Sequence, residues 1–365
     1  MPEPSLPIAL DAMGGDHAPA AAVRGAALAV RELGVRVALV GRRADVERQL
    51  ATLPPEDGAA LPALSVVDAA EVVAMDEHPA GAVRSKRHAS INVACRELAE
   101  GRARAVVSAG NSGAVLAAAL LGVKRLAGVA RPAIGALIPG PGEHRTFLLD
   151  VGANTDCKPE WLAQFAVMGS VYATAMLGVA NPRVALLSNG EERGKGNELV
   201  QAADPLLAAI GVNFAGNAEG KDLFSGAVDV LVCDGFAGNV ALKVAEGVAE
   251  FLFASISTAA RTSLQGRLGG ALLKPRLRPL RDQVDYRRTG GALLLGVAGE
   301  VVIAHGRSDA LAIMNALRVA DQAAQRDVSG IIGRRLAISA PAADRPATTK
   351  PSPQPSEPSR EPSTA

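Results

Sequence analysis

Short apolar runs, each closed abruptly by glycine and polar residues, alternate along this chain with alanine-rich stretches of helical spacing. Runs at 8–10, 35–40, 64–67, 105–107, 134–138, 146–149, 184–187, 228–232 and 301–304 read as strands. Stretches such as 18–33 and 197–210 read as helices. Parallel strands need crossovers long enough to hold a helix. The rhythm therefore predicts an α/β fold of three layers, α/β/α, around a largely parallel sheet. Open sheets of this kind bind ligands at the carboxyl ends of their strands, where loops run into helix N-termini. Polar residues directly after a strand carry the most functional information.

Six strand ends are unusually polar. D-A-M-G-G-D-H-A-P follows the first run at 11–19, and S-A-G-N-S-G-A follows at 108–114. D-V-G-A-N-T-D-C-K-P stands at 150–159, S-N-G-E-E-R-G-K-G-N at 188–197, C-D-G-F-A-G-N-V at 233–240 and H-G-R-S-D-A at 305–310. A strand, then small residues, then a helix aims backbone N–H groups at an anion. One such turn is commonplace in α/β folds. Six with Asp, Asn, Lys and His among them line one cleft if they share one edge of the sheet.

Other chemistries lack their patterns. G-x-S-x-G, G-x-x-x-x-G-K-[ST] and a G-x-G-x-x-G after the first run are absent. Asp11, Asp16 and His17 are metal-competent residue types without a recognised ligand spacing, so neither a metal nor a cofactor is expected. A net charge of +1 and 3% aromatic residues leave no footprint for a nucleic-acid partner. The three cysteines, Cys95, Cys157 and Cys233, form no C-x-x-C pair, which suits a reducing, cytoplasmic setting. No signal sequence is read at the N-terminus. Two uncharged stretches invite a membrane reading. The first, 105–123, reads instead as strand, loop and helix, and the second, 161–182, as a buried helix. With 48% hydrophobic residues there is ample core for a single α/β domain over 1–335. Residues 336–365, rich in Pro and Ser, are expected to form a disordered tail.

Taken together, these motifs resemble the phosphate acyltransferase family PlsX over roughly 8–328. The resemblance rests on 8–19, A-G-N-S-G-A from Ala109, D-V-G-A-N-T-D-C-K-P from Asp150, N-G-E-E from Asn189, K-G-N from Lys195 and C-D-G-F-A-G-N-V from Cys233. D-Y from Asp285, G-G-A from Gly290, L-L-G from Leu294 and H-G-R-S-D-A from His305 complete it. Ser112, Ala237 and Leu293 depart from the family pattern, and position 237 is given no role. The resemblance implies conversion of acyl-acyl-carrier-protein (acyl-ACP) and inorganic phosphate to acyl phosphate for phospholipid synthesis. It implies a fold related to phosphotransacetylases and to isocitrate/isopropylmalate dehydrogenases. It also implies a homodimer associated peripherally with the membrane.

Phosphate is already an anionic nucleophile near neutral pH. The site needs cations and N–H groups to hold it, an oxyanion hole and help for the departing thiolate. Lys195, flanked by glycines, is expected to hold phosphate or stabilise the oxyanion. Asn239 and Asn111 are expected to donate to phosphate or carbonyl oxygen, with turn or cap roles as the alternative. His17 is the expected proton-transfer group, and Lys158 is expected at a helix start where anions bind. Gly14, Gly15, Ser112, Gly113, Asn154, Asn189, Gly196, Asn197, Gly238 and His305 complete the expected phosphate and substrate contacts. Asp11, Asp16, Asp150 and Asp234 would repel phosphate and are expected to orient other groups. A covalent route through Cys157, activated by a lowered pKa, is the rival mechanism.

Residues 242–288 have apolar residues at helical spacing, then leucines mixed with Arg and Lys. Between positions 261 and 288 there are eight basic residues and two acidic ones. A protruding helical hairpin is expected here, serving anionic lipid, an acidic carrier protein or a dimer tip. Rival functions are a phosphotransacylase acting on acyl-coenzyme A, a metal-dependent NAD dehydrogenase, and a non-catalytic membrane scaffold.

Overall fold

The computed structural model describes residues 5–339. Eleven strands form one sheet: β1 (Ile8–Asp11), β2 (Val37–Gly41), β3 (Leu64–Asp68), β4 (Ala105–Ser108), β5 (Ala133–Pro139), β6 (Arg145–Leu149), β7 (Arg183–Leu187), β8 (Asn213–Ala218), β9 (Val230–Val232), β10 (Ala292–Leu295) and β11 (Glu300–Ile303). Nine coincide with the apolar runs. β8, N-F-A-G-N-A, is a half-exposed edge strand without such a run, and β10 is a short A-L-L-L framed by glycines.

The helices are α1 (Ala20–Leu33), α2 (Arg43–Leu50), α3 (Pro79–Ser85), α4 (Ser90–Ala99), α5 (Ser112–Ala118), α6 (Pro159–Leu177), α7 (Glu198–Ala209), α8 (Gly235–Arg261), α9 (Leu264–Val284), α10 (Tyr286–Thr289), α11 (Ala310–Gln325) and α12 (Val328–Ser339). The last helix carries ordered chain past the expected boundary at 335. Residues 340–365 of the expected tail lie outside the described residues.

Alternate residues along the strands feed two cores. Ala133 and Phe147 face one side with Ile8 and Leu10, under α1, α6, α7, α11 and α12. Ile134, Ile138, Leu148 and Ile303 face the other, under α3, α4, α5 and the start of α8. This is the α/β/α arrangement. The uncharged stretch around α6 is a buried helix, opened by Pro159 and closed by Gly178 in the left-handed conformation. Phe147 stacks on its Tyr172 with ring centroids 3.8 Å apart. Among the described residues no helix is long and apolar enough to cross a membrane.

The strand order is β3-β2-β1-β4-β11-β10-β5-β6-β9-β7-β8. The block β3, β2, β1, β4, β11 is parallel, and so is the block β6, β9, β7, β8. β10 is antiparallel to both of its neighbours, and β5 is antiparallel to β6. These three antiparallel pairings reverse the sheet, so the two blocks point in opposite directions. The registers place Leu10, Val107, Val302, Leu293, Gly135, Leu149, Val232 and Leu186 in one row. Leu149 and Val232 end their strands, and Leu10, Val107, Val302 and Leu186 stand one residue from the end of theirs. The polar strand ends therefore do not share one edge of the sheet. They meet head to head at one level, with β10 and β5 between them.

Helices α8 and α9 form the protruding hairpin. In α8 only Gly235 and Gly238 are buried, and in α9 no residue is.

Candidate active site

On the first block the strand ends are tied together by their own polar groups. Asp11, the last residue of β1, accepts a 2.7 Å hydrogen bond from Ser108 Oγ at the end of β4 and another from the Met13 N–H. Burial pushes the Asp11 carboxyl up, against these bonds and one from Ser90. Gly14 passes so close to the second loop that a Cβ there would lie 2.7 Å from the Gly110 nitrogen. The Asp16 N–H donates to the Gly306 carbonyl at 2.8 Å, which joins the β11 loop to the same set. Gly15, at φ +101°, makes that turn.

On the second block Asp150 organises the loop after β6. Its carboxylate accepts from the N–H groups of Ile134 (2.9 Å), Gly152 (3.3 Å), Ala153 (3.1 Å) and Asn154 (2.7 Å). Burial raises its pKa even so. Asn154 Nδ2 donates to Asp150 and to the Pro132 carbonyl. The Asn154 carbonyl in turn accepts from the Gly235 N–H at the start of α8. In the loop after β7, Asn189 Oδ1 accepts from the Gly196 N–H at 2.8 Å.

The asparagines divide by use. Asn111 caps α5 by accepting from the Ala114 N–H, and its amide donates to the carbonyls of Met75 and Glu77. Asn197 caps α7, and Asp234 caps α8. These side chains are spent on the protein. Asn239, one turn into α8, is exposed and makes no side-chain hydrogen bond among the described residues; it stands over Gly152. Gly113 and Gly238 have a packing reason, since a Cβ would lie 2.8 Å from Pro79 Cγ and 1.9 Å from the Asp150 carbonyl oxygen respectively.

A cavity of about 600 Å³ lies over β5 and β10, roofed by α8 and flanked by α9 and α10. Asp16, Ser112, Gly152, Asn239 and His305 all line it, so both blocks contribute. A neighbouring pocket of about 370 Å³ is lined by Ser188, Asn189, Gly196, Asn197, Cys233 and Asp234. The first turn of α8 borders both, with Ala237 on the smaller and Asn239 on the larger. Lys195 and Lys158 are in the lining of neither pocket; Lys195 precedes Gly196 of the smaller one, and its stem lies over Gly190, where a Cβ would be 2.8 Å from Lys195 Cγ. Lys195 and Lys158 are exposed, and neither ammonium has a hydrogen-bonding or ion-pair partner among the described residues.

The imidazole on the cavity is His305, while His17 is exposed and outside its lining. The Arg307 N–H donates to His305 Nδ1 at 3.3 Å, which leaves the proton of the neutral ring on Nε2. Burial, then the charges of Arg307 and Lys243, hold its pKa below the ordinary histidine value. Cys157 is pushed up to about 12, first by burial and then by the Asp150 charge. That is the opposite of an activated thiol and speaks against the covalent route.

Residues not singled out in the sequence also line the cavity. Arg307 and Ser308 lie inside H-G-R-S-D-A, and Gly152 inside D-V-G-A-N-T, so their motifs carried the signal. Ser308 Oγ is buried without a hydrogen-bond partner among the described residues. Tyr286 packs against His305 with ring centroids 5.3 Å apart, and the Arg307 guanidinium lies 4.6 Å from its ring centroid. Lys243 and Glu246, paired at 2.7 Å on α8, had no sequence signal. No group of three or more His, Cys, Asp or Glu side chains among the described residues is arranged to hold a metal.

Known proteins share this frame. Among solved structures, a phosphotransacetylase from Streptococcus pyogenes superposes with a TM-score of 0.60 at 18% identity, over 88% of this chain and 94% of that one. The EutD phosphotransacetylase from Staphylococcus aureus gives 0.58 at 17%, over 87% and 94%. A 4-hydroxythreonine-4-phosphate dehydrogenase from Klebsiella pneumoniae gives 0.51 at 16%, over 88% and 100%. At these identities the likeness is one of fold. Sequence relatives are much nearer. A phosphate acyltransferase from Heliobacterium modesticaldum is 51% identical over 90% of this chain and 97% of its own. One from Dictyoglomus turgidum is 48% identical over 89% and 96%. Residues 6–330 match the fatty acid synthesis protein family. A match over nearly the whole described length, with relatives near half identity along almost all of theirs, makes the chain a member of that family of phosphate acyltransferases.

Proposed function

We propose that this cleft transfers an acyl group from the thioester of acyl carrier protein to inorganic phosphate, giving acyl phosphate and the free carrier thiol. A phosphate oxygen attacks the carbonyl carbon, the C–O bond forms, and the C–S bond breaks through a tetrahedral oxyanion. The departing thiolate then takes a proton.

The observation that carries this reading is the meeting of both blocks' strand ends beside one cavity, where an unpartnered amide, Asn239, shares the lining with a neutral imidazole, His305. Asn239 Nδ2 and the His305 Nε2–H serve the carbonyl oxygen and the leaving sulfur. The unpaired ammonium group of Lys195, next to Gly196 of the neighbouring pocket, draws phosphate there. No protein nucleophile is required. Holding two reactants in line contributes about 7–11 kcal/mol to such a step, and one oxyanion donor about 3–4 kcal/mol.

The hairpin serves the substrate's carrier and the product's destination. Its basic residues suit an acidic carrier protein and an anionic lipid surface, so the enzyme works peripherally at the cytoplasmic face of a membrane. Exposed Val244, Val248, Phe251 and Ile256 give α8 an apolar face that a second copy of the chain covers in a homodimer.

The test is incubation with long-chain acyl-ACP and phosphate, trapping acyl phosphate with hydroxylamine. Product that requires both enzyme and phosphate supports the reading. Turnover confined to acyl-coenzyme A would replace the carrier protein as donor, and no product from either would overturn it.

A further inference from the structure

The cavity has two unlike sides. Toward β11 it is polar, with His305, Tyr286, Arg307 and the Lys243–Glu246 pair. Toward β5 it presents carbon. Ile134, Ala136 and Ile138 alternate along one face of β5 and form a floor. Leu242, Ala245 and Ala249, at helical spacing on α8, form the roof.

This apolar lane has a defined beginning and end. At one end the Val151 N–H donates to the Ile134 carbonyl at 2.9 Å, so Gly152 and Asn239 stand where the floor starts. At the other, Pro139 and Phe224 line the cavity. Gln283 Nε2 there donates to the Gly142 carbonyl at 3.1 Å, tying α9 to the turn between β5 and β6. Ala136 on the floor and Ala245 and Ala249 on the roof carry the smallest side chains that have a Cβ. Larger ones would fill it. A volume of about 600 Å³ lies inside the range of about 300–1,000 Å³ usual for small-molecule sites.

We propose that this lane is the acyl-chain subsite: the chain lies between β5 and α8 with its thioester at Asn239 and Gly152, and Ala136 and Ala245 set the longest chain accepted. This rests on the acyl-transfer reading above. Each methylene that leaves water for the lane adds favourable burial. A long chain gains more than a short one until the lane is full.

Ala245→Phe is the direct test, because Ala245 is only half-buried on a helix and the larger ring needs no change in the sheet. Transfer from butanoyl-ACP, whose chain ends short of Ala245, should fall less than transfer from hexadecanoyl-ACP, for which kcat/KM should drop by roughly tenfold or more. Ala136→Leu, from the opposite wall, should move the ratio the same way. A folded Ala245→Phe enzyme with an unchanged ratio overturns the proposal. A second readout needs no turnover: in Ala245→Cys, hexadecanoate should slow alkylation of the new thiol by a maleimide, and octanoate should slow it less. Equal alkylation with and without hexadecanoate also overturns the proposal. Failure of wild type to make acyl phosphate from either donor would instead strike the acyl-transfer reading, with the alkylation result still deciding what the lane holds.

Discussion

The carbonyl oxygen of Asp150 occupies the place where a side chain at Gly238 would begin; a Cβ there would lie 1.9 Å away. The first turn of α8 is therefore seated on the loop after β6. That seat sets where the next residue, Asn239, stands over Gly152. The obstacle is backbone, so it cannot swing aside. Gly238→Ala should lower stability by about 2–3 kcal/mol, as overpacked cores do, and should reduce acyl phosphate formation further by displacing Asn239. Urea unfolding and the hydroxylamine assay read the two effects. A variant matching wild type in both would show that the contact is slack.

Asn239 and Lys195 are exposed and have no side-chain partner among the described residues, so removing either should change stability by no more than about 0.5 kcal/mol. Asn239→Ala should nevertheless lower kcat by about 10²–10³-fold, the loss typical of an oxyanion donor. Lys195→Ala should raise KM for phosphate more than it lowers kcat. His17→Ala should behave like wild type, because that ring lies outside the cavity. Steady-state kinetics with phosphate varied separates the three. An unchanged rate in Asn239→Ala would remove it from the site.

The titration of His305 can be read directly. Burial and the charges of Arg307 and Lys243 disfavour the imidazolium, so the ring stays neutral to a lower pH than an ordinary histidine. In NMR spectra its ring signals should titrate with a midpoint below about pH 6.5. Arg307→Gln removes the larger of the two cationic effects. That makes the imidazolium easier to form, raises the pKa and should shift this midpoint toward higher pH. A midpoint that stays in place would mean that the Arg307 charge does not act on this ring.

Much of the sheet is legible in the sequence, because strands buried on both faces are written as short apolar runs between glycines. The reversal of direction is not. It depends on β10 pairing antiparallel with β11 and β5, and no local pattern records a partner strand. The polar strand ends are visible, but their uses are not. Asn111, Asn197 and Asn239 look alike in sequence, yet two cap helices and only the third is left free. His17 and His305 both follow strands, and only the path of each loop decides which faces the cavity. The cavity-lining stripe of α8 is hidden because the helix also carries apolar residues on its outer face.

The hairpin makes a separate prediction. Leu268, Leu272 and Leu273 on α9 are 66%, 72% and 55% exposed, beside a run of Arg and Lys. Replacing all three with Ala should weaken sedimentation with vesicles containing anionic phospholipid. Turnover of soluble acyl-ACP should be unaffected, since none of the three lines the cavity. Vesicle binding that survives the triple change would place the lipid contact elsewhere.

Glu300 lies at the start of β11, at the end opposite the active site, and is 5% exposed. Its Oε1 accepts from the Ser329 N–H at 2.7 Å, in the first turn of α12. Burial raises its pKa from the ordinary 4.5 to about 7; the bonds to Ser329 lower it only partly, and the Asp327 charge adds to the rise. Between those two values the folded protein binds more protons than the unfolded chain, so stability falls as pH rises from about 4.5 to 7. The cost is fully developed above pH 7. Glu300→Gln can still accept from Ser329 but carries no charge. It should therefore be more stable than wild type at pH 8, by up to about 3 kcal/mol, with the difference closing toward pH 5. Urea unfolding at the two pH values measures this. An equal difference at both would mean that Glu300 titrates in the ordinary carboxylate range despite its burial.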